Sequence, residues 1–200
     1  MGRLFTPFCV GNCFEIIPPH DQARQPQRTT LVMAEGAFGS GEHETTASCL
    51  EIIPELPLQN ADILDLGCGT GILAIAALKR GARQALCVDI EPAAINSCRI
   101  NARLNQVESR ISVLCGELHQ LGAQLHPCDL IFANIYGDIL LAVAETLVQY
   151  TKPGGLLLLS GILYEYNFDV RQCYQRLGCQ LLKNRLLMEF STLLLQRLPD

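Results

Sequence analysis

Gly67, Gly69 and Gly71 fall at alternate positions just after a carboxylate, Asp65, and the apolar run Ile63, Leu64 and Leu66 leads into them. A glycine turn between a buried strand and a helix leaves backbone N–H groups and a positive helix end free for a nucleotide-like ligand. A second carboxylate, Asp89, closes the run Ala85-Leu86-Cys87-Val88. It stands about twenty residues on, where an acid can accept both hydroxyls of a ribose. Because Glu91-Pro92 follows, Asp89 also suits a helix N-cap; its place at the end of the second strand favours the ribose. A third stretch, Gly36-Ala37-Phe38-Gly39-Ser40-Gly41-Glu42-His43-Glu44-Thr45-Thr46, is glycine-rich and precedes a helix. It reads either as a connection with a threonine cap or as a loop that folds over a ligand, using free N–H groups and the Thr45 and Thr46 hydroxyls.

These residues need strands to aim them. Leu4 to Val10 and Cys13 to Ile17 read as two strands joined by Gly11-Asn12, a two-residue hairpin connection. Pro18-Pro19 ends the pair, and His20 to Thr30 is polar and unpatterned, a surface linker. Ala47, Leu50 and Ile53 recur at helical spacing until Pro54 and Pro57 stop them. After the glycine turn, Ile72 to Leu78 continues as a helix that Gly81 closes. Gln84 to Asp89 is a second strand, and a helix follows with Ile95, Cys98 and Ala102 as its apolar stripe. Ile111 to Leu114 is a third strand, reaching Cys115-Gly116-Glu117, and Asp129 to Ala133 is a fourth, ending at Asn134. Ile139 to Tyr150 reads as one helix broken by Lys152-Pro153-Gly154-Gly155, and Leu156 to Leu159 as a fifth strand. A helix over Phe168 to Leu177 ends at Gly178, and Cys179 to Leu187 and Phe190 to Leu198 form a final hairpin. Strands alternating with helices predict an α/β fold: a doubly wound, mostly parallel, seven-stranded sheet with right-handed crossovers and an antiparallel C-terminal edge, preceded by a short β-hairpin.

Composition narrows the partners. The 200 residues are 49% apolar and 18% charged, which predicts an ordered globular chain, and the net charge of −5 argues against direct nucleic-acid binding. The 10 cysteines form no C-x-x-C pair and mostly sit in apolar runs, so they read as structural thiols in a reducing compartment. His20, His119 and His126 have no clustered partners, and no metal site is expected. Met1 to Leu4 leads into no signal-peptide core, and no apolar run approaches a membrane span; a soluble, cytoplasmic protein is expected.

The glycine spacing chooses between two ligands. A dinucleotide turn, G-x-G-x-x-G, needs its third glycine at position 72, which is Ile72. With the third glycine at 71 and an acid at Asp65, the pattern is similar to the first motif of class I S-adenosylmethionine (AdoMet) methyltransferases, where no pyrophosphate is cradled that Asp65 would repel. Beyond that motif, the chain resembles the PrmA family, methyltransferases of large-subunit ribosomal protein L-eleven. The loop from Gly36 to Thr46 is similar to the family's A-F-G-T/S-G-x-H-x-T-T, Asp65 to Ala77 to its D-x-G-C-G-S/T-G-I-L-A-I-A-A, and Val88 to Ala93 to its second-strand end. Ala133-Asn134-Ile135 and Leu159-Ser160-Gly161-Ile162-Leu163 match two further family segments. The resemblance implies that Phe38, Gly39, Thr45, Thr46, Asp65, Gly67, Gly69, Gly71, Asp89, Ile90, Gly116 and Asn134 line the AdoMet site. It also implies two regions, residues 1–30 as hairpin and linker and residues 31–200 as the AdoMet-dependent methyltransferase domain. Where the family has Thr-His-Pro this chain has Glu42-His43-Glu44, and the family's N-terminal recognition domain has no counterpart in this sequence, which leaves room for a separate recognition subunit among the expected partners.

The resemblance further implies methylation of a protein amine, a lysine or an N-terminus, with a basic ribosomal protein as the expected partner. Asn134 is the candidate catalytic residue: its side-chain oxygen can accept an N–H bond and aim the nitrogen lone pair at the methyl carbon. The competing reading is an Asn that caps the next helix. His43 is a lid-shaping residue ahead of a base, and Tyr136 and Phe38 are pocket walls or core. Methylation of another protein or a small amine, and a non-catalytic AdoMet-binding module, are the alternatives to the ribosomal substrate.

Overall fold

The computed structural model describes residues 6–34, 42–118 and 126–199. Phe38 and Gly39, with the rest of the glycine-rich loop through Gly41, lie outside the described residues, as do Leu4 and His119.

The chain begins with a small sheet of β1 (Phe8–Val10), β2 (Phe14–Ile17) and β3 (Thr29–Val32). β1 and β2 form the expected hairpin, but Val10 pairs with Phe14, so the turn holds three residues, 11–13, rather than two. Gly11 takes the positive φ of 52° that such a turn needs. The linker reading of His20 to Thr30 fails at its end, because β3 runs parallel to β2 with Phe14 opposite Thr29. The buried Glu15 carboxylate accepts the N–H groups of Arg24 and Gln25, folding a polar loop back so that β3 can pair. A four-residue strand with one fully buried side chain, Leu31, carries too little apolar pattern to be seen in the sequence.

The larger unit follows as α1 (Glu44–Ile52), β4 (Asp62–Leu66), α2 (Ile72–Lys79), β5 (Gln84–Asp89), α3 (Pro92–Leu104), β6 (Ile111–Cys115), β7 (Cys128–Asn134), α4 (Gly137–Ala142), α5 (Ala144–Gln149), β8 (Thr151–Leu163), α6 (Tyr164–Arg176), β9 (Cys179–Leu186) and β10 (Phe190–Arg197). The helix expected over Ile139 to Tyr150 is interrupted at Val143 and becomes α4 and α5. The fifth strand is far longer than Leu156 to Leu159: β8 has 13 residues and takes in Lys152 to Gly155, absorbing them where its register with β7 shifts.

The sheet order is β6-β5-β4-β7-β8-β10-β9. β4, β5, β6, β7 and β8 pair in parallel, and β10 is antiparallel to both β8 and β9. The expected antiparallel C-terminal hairpin closes this side of the sheet, with β10 inside against β8 and β9 at the edge. Burial decides this: β10 buries Ser191, Thr192, Leu193, Leu194 and Leu195, whereas β9 exposes Asn184 and Arg185. The apolar strand goes inward and the polar one takes the solvent edge.

Each face of the sheet carries its own core. One joins Ile63, Phe132 and Leu158 to the α2 side chains Ile72, Leu73 and Ile75 and to Phe14, Ile16 and Leu31 of the small sheet. The other joins Leu64, Ile131 and Leu157 to Leu140, Leu147 and Tyr174. With helices on both sides, the successive residues Ile63 to Leu66 of β4 and Leu130 to Ala133 of β7 are all buried, which is why these strands read as continuous apolar runs. Among the described residues, no helix is long and apolar enough to cross a membrane.

Candidate functional site

In this strand order the direction of winding reverses between β4 and β7, and a crevice opens at the C-terminal ends of the parallel strands there. The glycine turn leaves β4 at that point. Gly67, Gly69 and Gly71 have φ of 67°, 52° and 76°, a conformation that costs L side chains strain. At two of the positions space forbids a side chain as well. A Cβ on Gly67 would come within 2.3 Å of Ile135 Cγ2, and one on Gly71 within 2.5 Å of Cys98 Sγ.

Asp89 locks the turn to the neighbouring strand end. Its Oδ2 accepts the Gly69 N–H at 2.9 Å and its Oδ1 accepts the Glu91 N–H at 3.0 Å. The N-cap of α3 is Glu91, so Asp89 is not the cap that the competing reading required. Gly116 closes the same corner, donating its N–H to the Asp89 carbonyl at 2.9 Å, and Ile90 stands 64% exposed beside it. Asp89 is half-buried, and each carboxylate oxygen retains a lone pair for a ligand hydroxyl.

Asp65 sits deeper. It is 2% exposed and accepts the Ala74 N–H at 3.2 Å, which anchors the first turn of α2. Burial pushes its carboxyl up to about 8, reinforced by the nearby Cys98 and opposed by the Ala74 N–H. A carboxyl whose folded pKa is raised stabilises the fold fully below its unfolded value of ~3.9, and that contribution is lost as pH rises toward the folded value. Asp65→Asn is therefore expected to flatten the decline in unfolding free energy between pH ~4 and ~8. Chemical denaturation across that range measures it, and an unchanged slope would show that this carboxyl is not the titrating group.

The side of the crevice that faces α1 is organised by that helix. His43 is its N-cap, with Nδ1 2.8 Å from Thr45 Oγ1, and the imidazole packs edge-on against Phe190 at 5.4 Å. Glu44 accepts the N–H groups of Met188 and Glu189 at 3.0 and 3.2 Å, pinning the β9–β10 turn to this helix. Desolvation works against the charged form of Glu44, but those two donors, the Phe190 N–H and the neighbouring His43 hold its carboxyl below the usual range. The extra acid at this position thus has a structural partner. Thr46, 2% exposed, receives the Asn134 side-chain N–H on its hydroxyl at 3.2 Å. The N-cap of α4 is Tyr136, so Asn134 does not cap that helix; it stands half-buried at the end of β7. Tyr136 itself is 66% exposed and belongs to no core.

Sequence reasoning missed Asn101, which is fully buried in α3. Its Oδ1 accepts the Ala34 N–H at 2.8 Å and its Nδ2 donates to the Thr70 carbonyl at 2.9 Å, tying the segment after β3 to the glycine turn. Asn105, one turn on, makes the equivalent pair of bonds to Val32. Two asparagines four residues apart inside an otherwise apolar stripe were the available signal. Asn101→Ala removes the partner of the half-buried Ala34 N–H and of the Thr70 carbonyl, and an unfolding free energy lower by about 2–3 kcal/mol is expected in a urea titration. The cysteines also hold a surprise: Cys68, Cys87 and Cys98, read as scattered thiols, converge with their sulfurs within 4.8 Å of one another.

The chain matches the model of the family described as ribosomal protein L11 methyltransferase (PrmA) over residues 2–197. The chain belongs to the PrmA family. Ribosomal protein L11 methyltransferase of Shewanella amazonensis is 39% identical over 171 residues, covering 85% of this chain and 57% of the relative. Its counterpart in Pseudomonas aeruginosa is 42% identical over 173 residues, with 85% and 57% covered. This chain thus spans little more than half the length of the curated relatives it matches. The crystal structure of ribosomal protein L11 methylase from Lactobacillus delbrueckii superposes with a TM-score of 0.87 at 25% identity, covering 98% of this chain and all of that one. A tRNA methyltransferase from M. jannaschii, 15% identical with a TM-score of 0.67 over 78% of this chain and 50% of its own, shares the fold.

PrmA membership fits the corner built by Gly67, Gly69, Gly71 and Asp89. The turn presents bare backbone where a ligand must approach closely, and Asp89 offers an acceptor pair one strand away. Both suit a nucleoside with a free ribose.

Proposed function

We propose that this chain binds AdoMet at the β4–β5 corner and directs methyl transfer to a protein amine, with a ribosomal protein as the acceptor. The observation that carries the reading is Asn134: an amide at the end of β7, across the switch point from the glycine turn, held by Thr46 of α1. Relatives named for ribosomal protein L11 methylation support the acceptor class.

Gly67, Gly69, Gly71, Asp89, Ile90 and Gly116 would hold the cofactor, Asp65 supporting them from below. AdoMet, when bound, supplies a methyl group on a positively charged sulfur. The protein's own task is to present a neutral amine. A lysine of pKa ~10.4 is almost wholly protonated at pH 7, and exposing its lone pair costs about 4–5 kcal/mol. A crevice with little water disfavours the ammonium form, and the proton leaves to solvent. The Thr46 hydroxyl takes one N–H of the Asn134 amide, which fixes the carboxamide plane and leaves Oδ1 as an acceptor for an amine N–H. The nitrogen lone pair is then aimed rather than free to rotate. The site works in the cytoplasm, where ribosomal proteins are made.

Radiolabelled AdoMet incubated with the chain and with ribosomal proteins, whole lysate or small amines tests the proposal. Label in a single ribosomal protein is expected. Label confined to other proteins or to small amines would replace the acceptor, and cofactor binding with no transfer to any acceptor would overturn the enzymatic reading.

A further inference from the structure

The thiols of Cys68, Cys87 and Cys98 take no part in the reaction proposed above, yet they form the only group of three or more metal-ligating side chains among the described residues. They come from three different elements: Cys68 from the glycine turn, Cys87 from β5 and Cys98 from α3. All are buried, at 7%, 0% and 0% exposure, within the apolar core on the α2 face. Their sulfurs lie within 4.8 Å of one another. Metal–sulfur bonds of ~2.3 Å place the sulfurs of one ion roughly 3.8–4.0 Å apart, so a contraction of under about 1 Å closes the set. Among the described residues no histidine, aspartate or glutamate joins the cluster, so the donor set is soft sulfur.

We propose that Cys68, Cys87 and Cys98 are a binding site for one thiophilic d10 cation, Zn2+ or Cu+, held by three thiolates. Three S–H bonds release their protons to solvent as three metal–sulfur bonds form, and no electrons change hands. Burial of all three donors makes the ion structural, with no position open to substrate. Its place explains a further feature of the turn. Gly71 packs so closely on Cys98 that a Cβ there would overlap the sulfur, so the ion, Cys98 and the glycine turn form one packed unit. Occupancy ties the turn to β5 and α3 and raises the melting temperature of the chain.

The experiment uses the full, reduced, metal-free chain and Cd2+ as a spectroscopic stand-in. The sulfur-to-cadmium charge-transfer band is expected to saturate at one equivalent and to be erased by Zn2+ or Cu+. Cys98→Ser and Cys87→Ala should each weaken binding at least ~100-fold, a loss no smaller than second-shell changes produce. Cys9→Ser, at an exposed thiol, should leave it unchanged. No band, or a band of undiminished strength in both cluster variants, overturns the site. Should either variant fail to fold by circular dichroism, X-ray absorption on the Zn2+-loaded unaltered chain decides. Three sulfurs at ~2.3 Å, alone or with one oxygen completing the four ligands usual for Zn2+, support the proposal, and a ligand set dominated by nitrogen or oxygen overturns it.

Discussion

Asn134→Ala is expected to lower kcat by about 100- to 1,000-fold while changing AdoMet affinity by less than about 3-fold. The asymmetry follows from where the amide stands. The glycine turn and Asp89 bond to each other through Gly69, and neither takes Asn134 as a partner. Cofactor contacts therefore survive the substitution, whereas the acceptor for the amine N–H does not. Misaiming a reacting atom by about 1 Å costs on the order of 100-fold, and loss of the orienting bond adds to it. Thr46 provides the graded control. Thr46→Val keeps the shape but removes the oxygen that receives the Asn134 N–H, freeing the carboxamide to turn over; a drop of about 10-fold in kcat is expected, restored by Thr46→Ser. Steady-state kinetics with a labelled acceptor, together with calorimetric titration of AdoMet, separates the two parameters. Equal losses in affinity and turnover would show that Asn134 serves the cofactor instead.

Gly71→Ala is the substitution expected to harm the fold most. Two costs combine: about 1–2 kcal/mol for a left-handed alanine and about 1–3 kcal/mol for forcing a methyl group into a packed core. The new Cβ would stand 2.5 Å from Cys98 Sγ and 3.4 Å from its Cβ, and Cys98 is itself fully buried. An unfolding free energy lower by about 2–5 kcal/mol is therefore expected, a fall in Tm of roughly 5–15 °C for a domain of this size. Gly178→Ala isolates the first cost, because Gly178 has a similar φ of 83° with nothing within 4 Å of the added Cβ. The difference between the two variants measures the clash with Cys98. Equal destabilisation would mean that the cysteine moves aside freely and that the turn and the thiol cluster are not mechanically joined.

Where the requirement was local, the sequence carried it. A turn at positive φ needs glycine at those residues and nowhere else, so Gly67, Gly69 and Gly71 announce a tight left-handed turn within five residues. Strands covered on both faces must be apolar throughout, and β4, β5 and β7 were legible for that reason. The acid at Asp89 was legible because its distance from the turn is the length of one helix and one strand. Where the same residue type serves two ends, the sequence left alternatives open. Asn134 and Asp89 each suited a helix cap until the caps proved to be Tyr136 and Glu91.

Other features depend on partners far apart in the chain. Thr46 and Asn134 are 88 residues apart and meet only when α1 is laid against β8 and β10. Asn101 reaches back 67 residues to Ala34, and nothing in either segment records that bond. β9 and β10 read alike as a terminal hairpin, and it took burial against β8 to send β10 inside and leave β9 at the edge. The three cysteines have no spacing in common because one comes from a turn, one from a strand and one from a helix. The sequence alone determined which backbone would bend and which runs would be buried, since both depend on neighbouring residues. Only the tertiary structure decided which polar side chain met which partner, since a hydrogen bond or a metal site is a property of two surfaces brought together.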